Sequence, residues 1–562
     1  MLKRTAGAAE PVEGDTTGNT VTGGIAVAGG SGGVAGLAGG GAGTTAGEGA
    51  GAVTGAAAPE VSLNGRGLGT AMVASVAGGA APPSAHPAAL VAMERTRCAA
   101  ERLAAEGARV YGRSTGVGAH RGLAVEESDG AGHDLRLLLS HAGGVGEPLP
   151  AREVRAMMLV RANQLLAGGS GLGPEIASAI IDALRAEVHP RVPEYGAVGT
   201  GDLTALAELG LALSGHRDWV RDRPDAGNAL PGSLPVRRGD ALALLSSNAL
   251  TLGQSALACH DLGVLLGAAP VVAALSLWAV DASREPYAPE VHAAHPHPAI
   301  RRAAARVREL LGADDRPGAV APVRAGGPSR VQDPYGFRCF PQAHGPAVEA
   351  WEGLERVLSI DLNSATENPL IDWDSVTGAP VARHHGGFFT APLTLALDQL
   401  GLAVLGTGRL SAARLSGLGR SELTGLRSYL ADTSSAGSGM MILEYSAASA
   451  LAEIQACATP AALGHVVLSQ GTEEAATFAT QAARKTLRLA RAYRLVLGCE
   501  LVAAVRALRL RGDAPGPETV AGRAYAVAAA ELDPETRDRP LTEDVTVAAA
   551  LLDGFAGFTD AP

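Results

Sequence analysis

The chain has 562 residues, of which 47% are hydrophobic and 18% are charged, so it is long enough to bury a large core. Aromatic residues make up only 3%, and a core built mainly from Ala, Leu and Val favours an all-α fold because Ala and Leu are strong helix formers. The net charge of −11 comes without a basic cluster, which argues against a nucleic-acid partner because such a partner requires a positive face.

The cysteines and the first residues indicate a reducing compartment. The five cysteines are odd in number and none forms a CxxC pair, so we expect free thiols rather than a disulfide framework or a zinc site. The opening segment, MLKRTAGAAE, lacks the apolar region of a signal peptide. The His, Cys and acidic residues lack metal-ligand spacing. We therefore expect a cytoplasmic protein that needs no metal.

Residues 1–58 consist mostly of Gly, Ala, Thr and Val. Such a segment buries too little apolar surface to offset its ordering entropy, so it predicts a disordered tail. The folded body is expected as an N-terminal region over 59–235, a central helical bundle over 236–515 and a C-terminal helical segment over 516–562.

Hydrophobic residues recur at helical spacing through most of this body. Helices are predicted over 88–107, 150–167, 176–188, 203–214, 240–280, 298–312, 345–360, 390–414, 440–458 and 473–511. A linker is predicted over 82–86, and loops rich in Gly, Pro and polar residues over 111–122, 217–236, 316–329 and 433–439. The pattern predicts a long central helix bundle with a loop-rich N-terminal region.

Two uncharged runs, 241–259 and 263–280, are each long enough to cross a membrane. The first run holds several Ser, Thr, Asn and Gln side chains, and His260 and Asp261 separate the two. Buried core helices are therefore favoured over membrane spans.

The first segment with chemical groups is the loop YGRSTGVG at 111–118. Its glycines would allow it to close as a lid. A phenol such as that of Tyr111 has an ordinary pKa of about 10, so it needs burial beside cations or donors to act as a base. On this loop alone, a tyrosine that plugs a Gly-rich turn is the simpler interpretation.

A second segment, LLLSHAGGVGEP at 137–148, places His141 beside a hydrophobic run. A lone histidine next to a helix is often structural. Contact with a substrate is the alternative, and the sequence leaves both open.

The segment VQDPYGFRCFPQ at 331–342 concentrates polar groups beside Pro and Gly. The planar fork of Arg338 can hold a carboxylate bidentately, and Tyr335 can donate to an oxyanion or help to position an amine. Gln332 and Gln342 add uncharged hydrogen bonds. A buried polar network that holds one turn is the alternative, but so many polar groups are costly unless they converge on a ligand. We therefore favour a binding site.

Two acidic residues occur towards the C-terminus. Glu453 lies in the predicted helix over 440–458, and Glu473 follows the next loop. Each is either a site residue or a solvated surface charge.

Taken in order, these segments resemble the aromatic amino acid ammonia-lyases of the histidine and phenylalanine type. The family patterns are Y-G-V-N-T-G-F-G for 111–118, N-L-x-x-S-H-x-x-G-V-G-E for 137–148 and Q-D-x-Y-S-x-R-C-x-P-Q for 331–342. Residues 361–370 and 538–544 resemble N-S-x-T-D-N-P-L and D-R-P-L-x-x-D. The resemblance runs from about residue 60 to about 555. It implies a fumarase/aspartase-like helical fold and a homotetramer whose sites take loops from several subunits.

The resemblance also implies roles for single residues. Tyr111 would be the catalytic acid/base and Tyr335 a second catalytic residue. His141 and Glu453, which are typical of histidine-specific members, would contact the substrate side chain. The carboxylate of a small amino-acid substrate would meet Arg338, with Gln332 and Gln342 beside it.

The segment GAVGTGDL at 196–203 corresponds to G-S-V-G-A-S-G-D-L, in which the family's Ala-Ser-Gly cyclises and loses water to give a methylidene-imidazolone ring. Here the segment is one residue shorter, and Gly199, Thr200 and Gly201 stand at the tripeptide. Dehydrated Thr200 would give a methyl-substituted, hindered alkene. A plain turn hydroxyl is the favoured interpretation and a ring from these residues is the alternative; neither needs a dissociable cofactor.

Residues that support the ring in the family have changed as well. The asparagine of A-L-x-N-G-T falls on Ser246, and Asn248 lies two positions later as the remaining candidate for substrate binding. The segment G-N-F-H-G falls on GGFFT at 386–390, so a second asparagine and a histidine are missing.

Three functions remain open. The first is an aromatic amino acid ammonia-lyase, directed to histidine or another aromatic amino acid, that has an altered electrophile and forms an α,β-unsaturated acid, with Tyr111 removing the β-proton. The second is a ring-independent lyase or aminomutase-like enzyme of the same fold. The third is a non-catalytic relative that binds an amino acid or stabilises a partner subunit.

Overall fold

The computed structural model describes residues 60–126, 129, 132–222, 229–312, 330–433 and 436–558. The described residues belong to one compact unit. The predicted tail over 1–58 and the predicted loop over 316–329 lie outside the described residues.

Helices dominate the described chain, and the all-α prediction is confirmed. Their bounds are α1 (Thr70–Ala77), α2 (Pro87–Ala105), α3 (Gly132–His141), α4 (Ala151–Leu166), α5 (Pro174–Arg185), α6 (Leu203–Leu213), α7 (Asp240–Leu245), α8 (Ala249–Ala279), α9 (Pro289–Ala294), α10 (Pro298–Leu310), α11 (Tyr335–Arg338), α12 (Phe340–Asp361), α13 (Ala391–Leu418), α14 (Ser421–Thr424), α15 (Met441–Cys457), α16 (Ala479–Arg511), α17 (Val520–Glu531) and α18 (Thr542–Ala556).

Short strands form two-stranded sheets beside the helices. The parallel pair is β1 (Val61–Leu63) with β2 (Pro83–Ala85), and the antiparallel pairs are β3 (Val145–Pro148) with β5 (Pro193–Tyr195), β4 (Val188–Pro190) with β6 (Trp219–Arg221), and β7 (Leu370–Trp373) with β8 (Pro380–Arg383). The predicted linker over 82–86 is therefore wrong for 83–85, whose backbone pairs with β1.

Two predicted helices begin at other residues. Helix α12 begins at Phe340 rather than 345, because Pro341 fits a first helical turn, where its missing N–H is not needed. Helix α16 begins at Ala479 rather than 473. The chain before it turns through left-handed conformations at Gln470 and Phe478, with φ of 54° and 56°.

The predicted helix over 240–280 is two helices, α7 and α8, with a break at residues 246–248. Both serines there bond to distant groups instead of continuing the helix. The Ser246 hydroxyl accepts from the Asn368 N–H at 2.8 Å, and the Ser247 hydroxyl donates to Gln164 Oε1 at 2.6 Å. Short polar side chains compete with helical bonding in this way. The break places Asn248 at the first turn of α8.

The core lies around α8, which packs against α16, α4 and α12, while α13 packs against α12, α16 and α15. Among the described residues, the stretch 240–279 is apolar and long enough to cross a membrane, but 89% of its most apolar window is buried within the protein. This burial supports the prediction of core helices.

A buried ion pair joins three of these helices. Arg414 of α13 lies 2.6 Å from Glu500 of α16, and both side chains are almost fully buried. The hydroxyls of Ser276 on α8 and Ser411 on α13 donate to the same carboxylate at 2.7 and 2.6 Å. A buried charge is tolerated when its partners are this complete.

Candidate functional site

The loop over residues 111–122, here called the tyrosine loop, is seated on α7. Gly112 has φ +68°, and a Cβ atom there would lie 2.0 Å from Leu242 Cδ2. Glycine meets both demands, since it adopts positive φ freely and has no side chain. The backbone beside Tyr111 therefore lies directly against the protein body.

Arg113 ties the tyrosine loop to the interior. Its Nη2 donates to the Ser170 carbonyl at 2.7 Å. Burial lowers the pKa of Arg113, and the nearby carboxylates of Asp240 and Asp134 oppose that change. Sequence reasoning missed this anchor, although the family pattern has an apolar residue at this position and an arginine there is a visible departure.

The side chain of Tyr111 is half-buried, and its phenol oxygen accepts from the Gly118 N–H at 2.8 Å. An N–H donor aimed at the phenol oxygen stabilises negative charge on it. The backbone N–H of Tyr111 donates to Nε2 of His384 at 3.3 Å. His384 is a second site residue that sequence reasoning missed, because the two residues are 273 positions apart.

The carbonyl oxygen of Gly199 is held by two hydroxyl groups. Thr390 and Thr477, here called the threonine pair, donate to it at 2.8 and 2.7 Å and lie 3.0 Å from each other. All three residues are buried. The carbonyl oxygen of Gly199 is thus the shared acceptor of two buried hydroxyl groups.

Position 199 accepts only glycine in this arrangement. Gly199 has φ +88°, and a Cβ atom would lie 2.3 Å from Thr477 Oγ1 and 2.5 Å from the backbone nitrogen of Ala479. The residues just before it are pinned as well, since Gln481 Nε2 donates to the Ala197 carbonyl at 2.9 Å. The segment is therefore fixed against the start of α16.

Asp202 fixes the other end of the segment. Its carboxylate accepts from the backbone N–H and the hydroxyl of Thr251, both at 2.8 Å, and its own N–H donates to the Ser247 carbonyl at 2.8 Å. Burial raises the pKa of Asp202 to about 6, against the effect of the bonds from Thr251. These contacts join the residues after Thr200 to the first turn of α8.

Asn248, at that first turn, carries an unsatisfied buried acceptor. Its Nδ2 donates to the Phe388 carbonyl at 2.8 Å, which fixes the orientation of the amide. Its Oδ1 has no hydrogen-bond partner among the described residues, and the residue is 1% exposed. A buried acceptor without a partner costs about 1–3 kcal/mol. A bound ligand with an N–H group would remove that cost.

The segment over residues 469–473 packs on the tyrosine loop. Arg121 Nη1 donates to the Thr472 hydroxyl at 2.9 Å, and Ser469 donates to Glu473 Oε1 at 2.9 Å. One chain therefore brings together the tyrosine loop, the segment 199–202, Asn248, the residues 384–390 and the residues 469–481.

His141 lies on a helix that packs against an element next to this group. It ends α3, which packs on α6, the helix that follows Asp202 directly. Its Nδ1 lies 2.9 Å from the Leu137 carbonyl. Of the two ring nitrogens, Nδ1 is thus engaged within its own helix.

Tyr335 and Arg338 lie at the far end of α13. The Gly336 carbonyl between them accepts from Arg414 Nη1 at 3.1 Å. Arg414 is 24 residues beyond Thr390, and at 1.5 Å per residue this is roughly 36 Å along the helix. A single chain therefore does not bring Arg338 to Thr200.

Most of the side chains at this far end are exposed, and that of Arg338 is partly buried. Tyr335 is 67% exposed, and the guanidinium carbon of Arg338 lies 4.6 Å from the centre of its ring. The Nε atom of Arg338 has no partner among the described residues. Gln332 and Gln342 are exposed beside them.

Glu453 also stands apart from the residues around Thr200. It is exposed on α15, where its carboxylate lies 3.6 Å from the Cys457 thiol. The adjacent Ile454 packs towards Gly408, in the second half of α13. The predicted site residues thus fall into two groups at two ends of the bundle. Among the described residues, no cluster of three His, Cys, Asp or Glu side chains could hold a metal ion.

A family model for aromatic amino acid lyases matches residues 68–530. The chain belongs to the aromatic amino acid lyase family. It is 35% identical to the histidine ammonia-lyase of Deinococcus radiodurans over 423 residues, which are 74% of this chain and 79% of that protein. It is 32% identical to the histidine ammonia-lyase of Stigmatella aurantiaca over 508 residues, 88% of this chain and 96% of that protein.

The fold agrees with this membership. The crystal structure of histidine ammonia-lyase from Trypanosoma cruzi superposes with a TM-score of 0.78 at 26% identity, covering 88% of this chain and 94% of that one. The predicted recognition and the fumarase-like helical fold are therefore confirmed.

The residues of this lyase do not fit the self-derived ring of its family. The ring takes the Gly nitrogen to the carbonyl carbon of the first residue of the tripeptide and expels that carbonyl oxygen as water. Here that oxygen belongs to Gly199, and its loss would leave the threonine pair without its acceptor. There is also no space for the alanine methyl group at 199 and no serine at 200.

Proposed function

We propose that this lyase eliminates ammonia from an L-amino acid to give an α,β-unsaturated acid, and that it does so without a ring from residues 199–201. The observation that carries the proposal is the buried, unpartnered Oδ1 of Asn248 beside the segments that hold Tyr111. A protonated α-amino group is a donor of the kind that this oxygen lacks.

Proton transfer falls to Tyr111. Its deprotonated oxygen, supported by the Gly118 N–H, takes the β-proton of the substrate and becomes a neutral phenol. The electron pair of that C–H bond becomes the Cα=Cβ double bond, and the C–N bond breaks with its pair leaving on nitrogen. An ammonium substrate held by Asn248 thus departs as ammonia, with atoms and charges balanced.

A second copy of the chain binds the carboxylate of the substrate. Arg338 and Tyr335 lie roughly 36 Å along α13 from the segment around Thr200; Tyr335 is exposed and Arg338 is partly buried. We infer a homotetramer in which the Arg338 end of one chain completes the Tyr111 end of another, with Gln332 and Gln342 beside the carboxylate. Glu453 would enter the same composite site.

L-Histidine is the first substrate to test. The curated relatives compared above are named histidine ammonia-lyases. His141 and Glu453 are the residues we assign to contacts with the imidazole, since both can exchange hydrogen bonds with it.

The test measures ammonia release and formation of the conjugated acid from a panel of L-amino acids, together with the intact mass of the protein. We expect turnover by a protein with its full sequence mass, and its loss in Tyr111→Phe. Tyr525→Phe, a half-buried tyrosine on α17, is the matched control and should keep the activity. A mass lower by two water molecules would refute the ring-free proposal. Substrate binding without turnover, unchanged in Tyr111→Phe, would indicate an amino-acid-binding relative instead.

A further inference from the structure

The loop between β8 and α13 begins with two adjacent histidines that have different surroundings. His385 uses both ring nitrogens inside the loop region, since its Nε2 lies 2.8 Å from the Glu367 carbonyl and its Nδ1 accepts from the Gly387 N–H at 2.9 Å. A histidine bonded in this way is a neutral, fixed tautomer. It holds the loop and has no nitrogen left for a substrate.

The anchor of His385 reaches the core. The Glu367 side chain forms an ion pair with Arg161 at 2.8 Å, and both side chains are buried. The backbone N–H of His385 donates to Asn368 Oδ1 at 3.0 Å. The position of His384, the residue just before His385, is therefore set by a rigid segment.

His384 points its imidazole at the tyrosine loop. Its Nε2 accepts from the backbone N–H of Tyr111 at 3.3 Å, and the residue is exposed. Because Nε2 is the acceptor, the proton of the neutral ring is on Nδ1. The same loop has lost the histidine of the family pattern, where Phe389 now stands.

We propose that His384 is a positioning residue for Tyr111. It fixes the backbone of the catalytic tyrosine to the anchored segment around Glu367 and His385. This role rests on the proposed elimination. It accounts for how a glycine-rich loop holds its phenol in one place although the neighbouring family histidine is absent. A base displaced by about 1 Å costs up to roughly a hundredfold in rate, so one such bond matters to turnover.

Hydrogen exchange of the peptide over residues 108–118 tests the contact without reference to activity. His384→Ala removes one bond worth about 1 kcal/mol, so the Tyr111 amide should exchange about fivefold faster. His384→Gln keeps an acceptor oxygen and should restore most of the protection. His295→Ala, an exposed histidine after α9, is the control and should leave this peptide unchanged. Equal exchange in wild type and His384→Ala would overturn the proposal.

Steady-state kinetics on the same variants tests the role in turnover. His384→Ala should lower kcat by roughly tenfold or more with a smaller effect on KM, because the bond positions the base rather than the substrate. His384→Gln should recover kcat. A His384→Gln variant as slow as His384→Ala would refute positioning by an acceptor. A wild-type protein with no turnover would refute the proposed elimination. The hydrogen-exchange result would still decide whether His384 holds the backbone of Tyr111.

Discussion

Replacing the threonine pair by valine, singly and together, tests how the segment around Thr200 is held. Valine has nearly the shape of threonine but lacks the hydroxyl group. Either single substitution removes one donor to the Gly199 carbonyl and leaves the other at 2.7 or 2.8 Å. The cost of one such bond is about 1 kcal/mol, which corresponds to about fivefold more frequent local opening.

The double substitution Thr390→Val with Thr477→Val leaves the buried carbonyl without either hydroxyl. Two lost bonds and an unsatisfied acceptor together cost about 3 kcal/mol or more, which is over a hundredfold in local opening. The assay is hydrogen exchange of the amides over 198–203, with intact mass measured on each protein. We expect every variant to keep its full sequence mass.

A ring at 199–201 would give the opposite pattern. Ring formation removes the Gly199 oxygen, so the hydroxyls would have no acceptor there and their loss would change exchange little. If neither the single variants nor the double variant exchanges faster than the wild type, the assignment of the threonine pair is therefore refuted. A mass deficit of two water molecules in the wild type would refute it independently.

Other predictions concern the amine contact, the buried acid and the assembly. Asn248→Leu removes an unsatisfied acceptor and the bond to Phe388 together. Calorimetry should therefore show a melting temperature within a few degrees of the wild type but much weaker substrate binding. An equal loss of thermal stability and substrate binding would contradict the assignment. Burial raises the pKa of Asp202 from 3.8 to about 6, so this carboxyl group favours the folded state below about pH 4 and that contribution is lost as the pH rises to about 6. Asp202→Asn should therefore flatten the fall in melting temperature over this range, and an unchanged slope would count against the raised pKa. Tyr111→Phe and Arg338→Ala should each be inactive alone, whereas co-expression of the two should restore part of the turnover because mixed assemblies contain some intact composite sites; no recovery in mixtures would argue against sites shared between chains.

Local chemistry was predictable where neighbouring residues decide it. The Gly-rich tyrosine loop, the core position of the apolar stretch and most helices follow from spacing and composition. The break at 246–248 was not predictable, because three short polar residues inside an apolar run resemble a buried helix until their distant partners, Gln164 and Asn368, are known.

The arrangement of the site was less predictable than its components. His384 contacts Tyr111 across 273 positions, and no periodicity connects them. The segments that match the family occur in order along the chain, yet the length of α13 places Arg338 away from Thr200. The sequence indicates which residues carry chemistry, while helix lengths and directions decide which of them meet.

The close approach of Thr477 to position 199 limits how this chain can change over generations. A methyl group at 199 would collide with a hydroxyl oxygen and a backbone nitrogen, at 2.3 and 2.5 Å. A substitution to alanine at this site is therefore unfavourable while Thr477 and the shortened segment remain. Removing the hydroxyl first leaves a buried carbonyl with one donor fewer. Each intermediate is less stable than the present sequence, so alanine cannot be introduced at position 199 by single neutral substitutions.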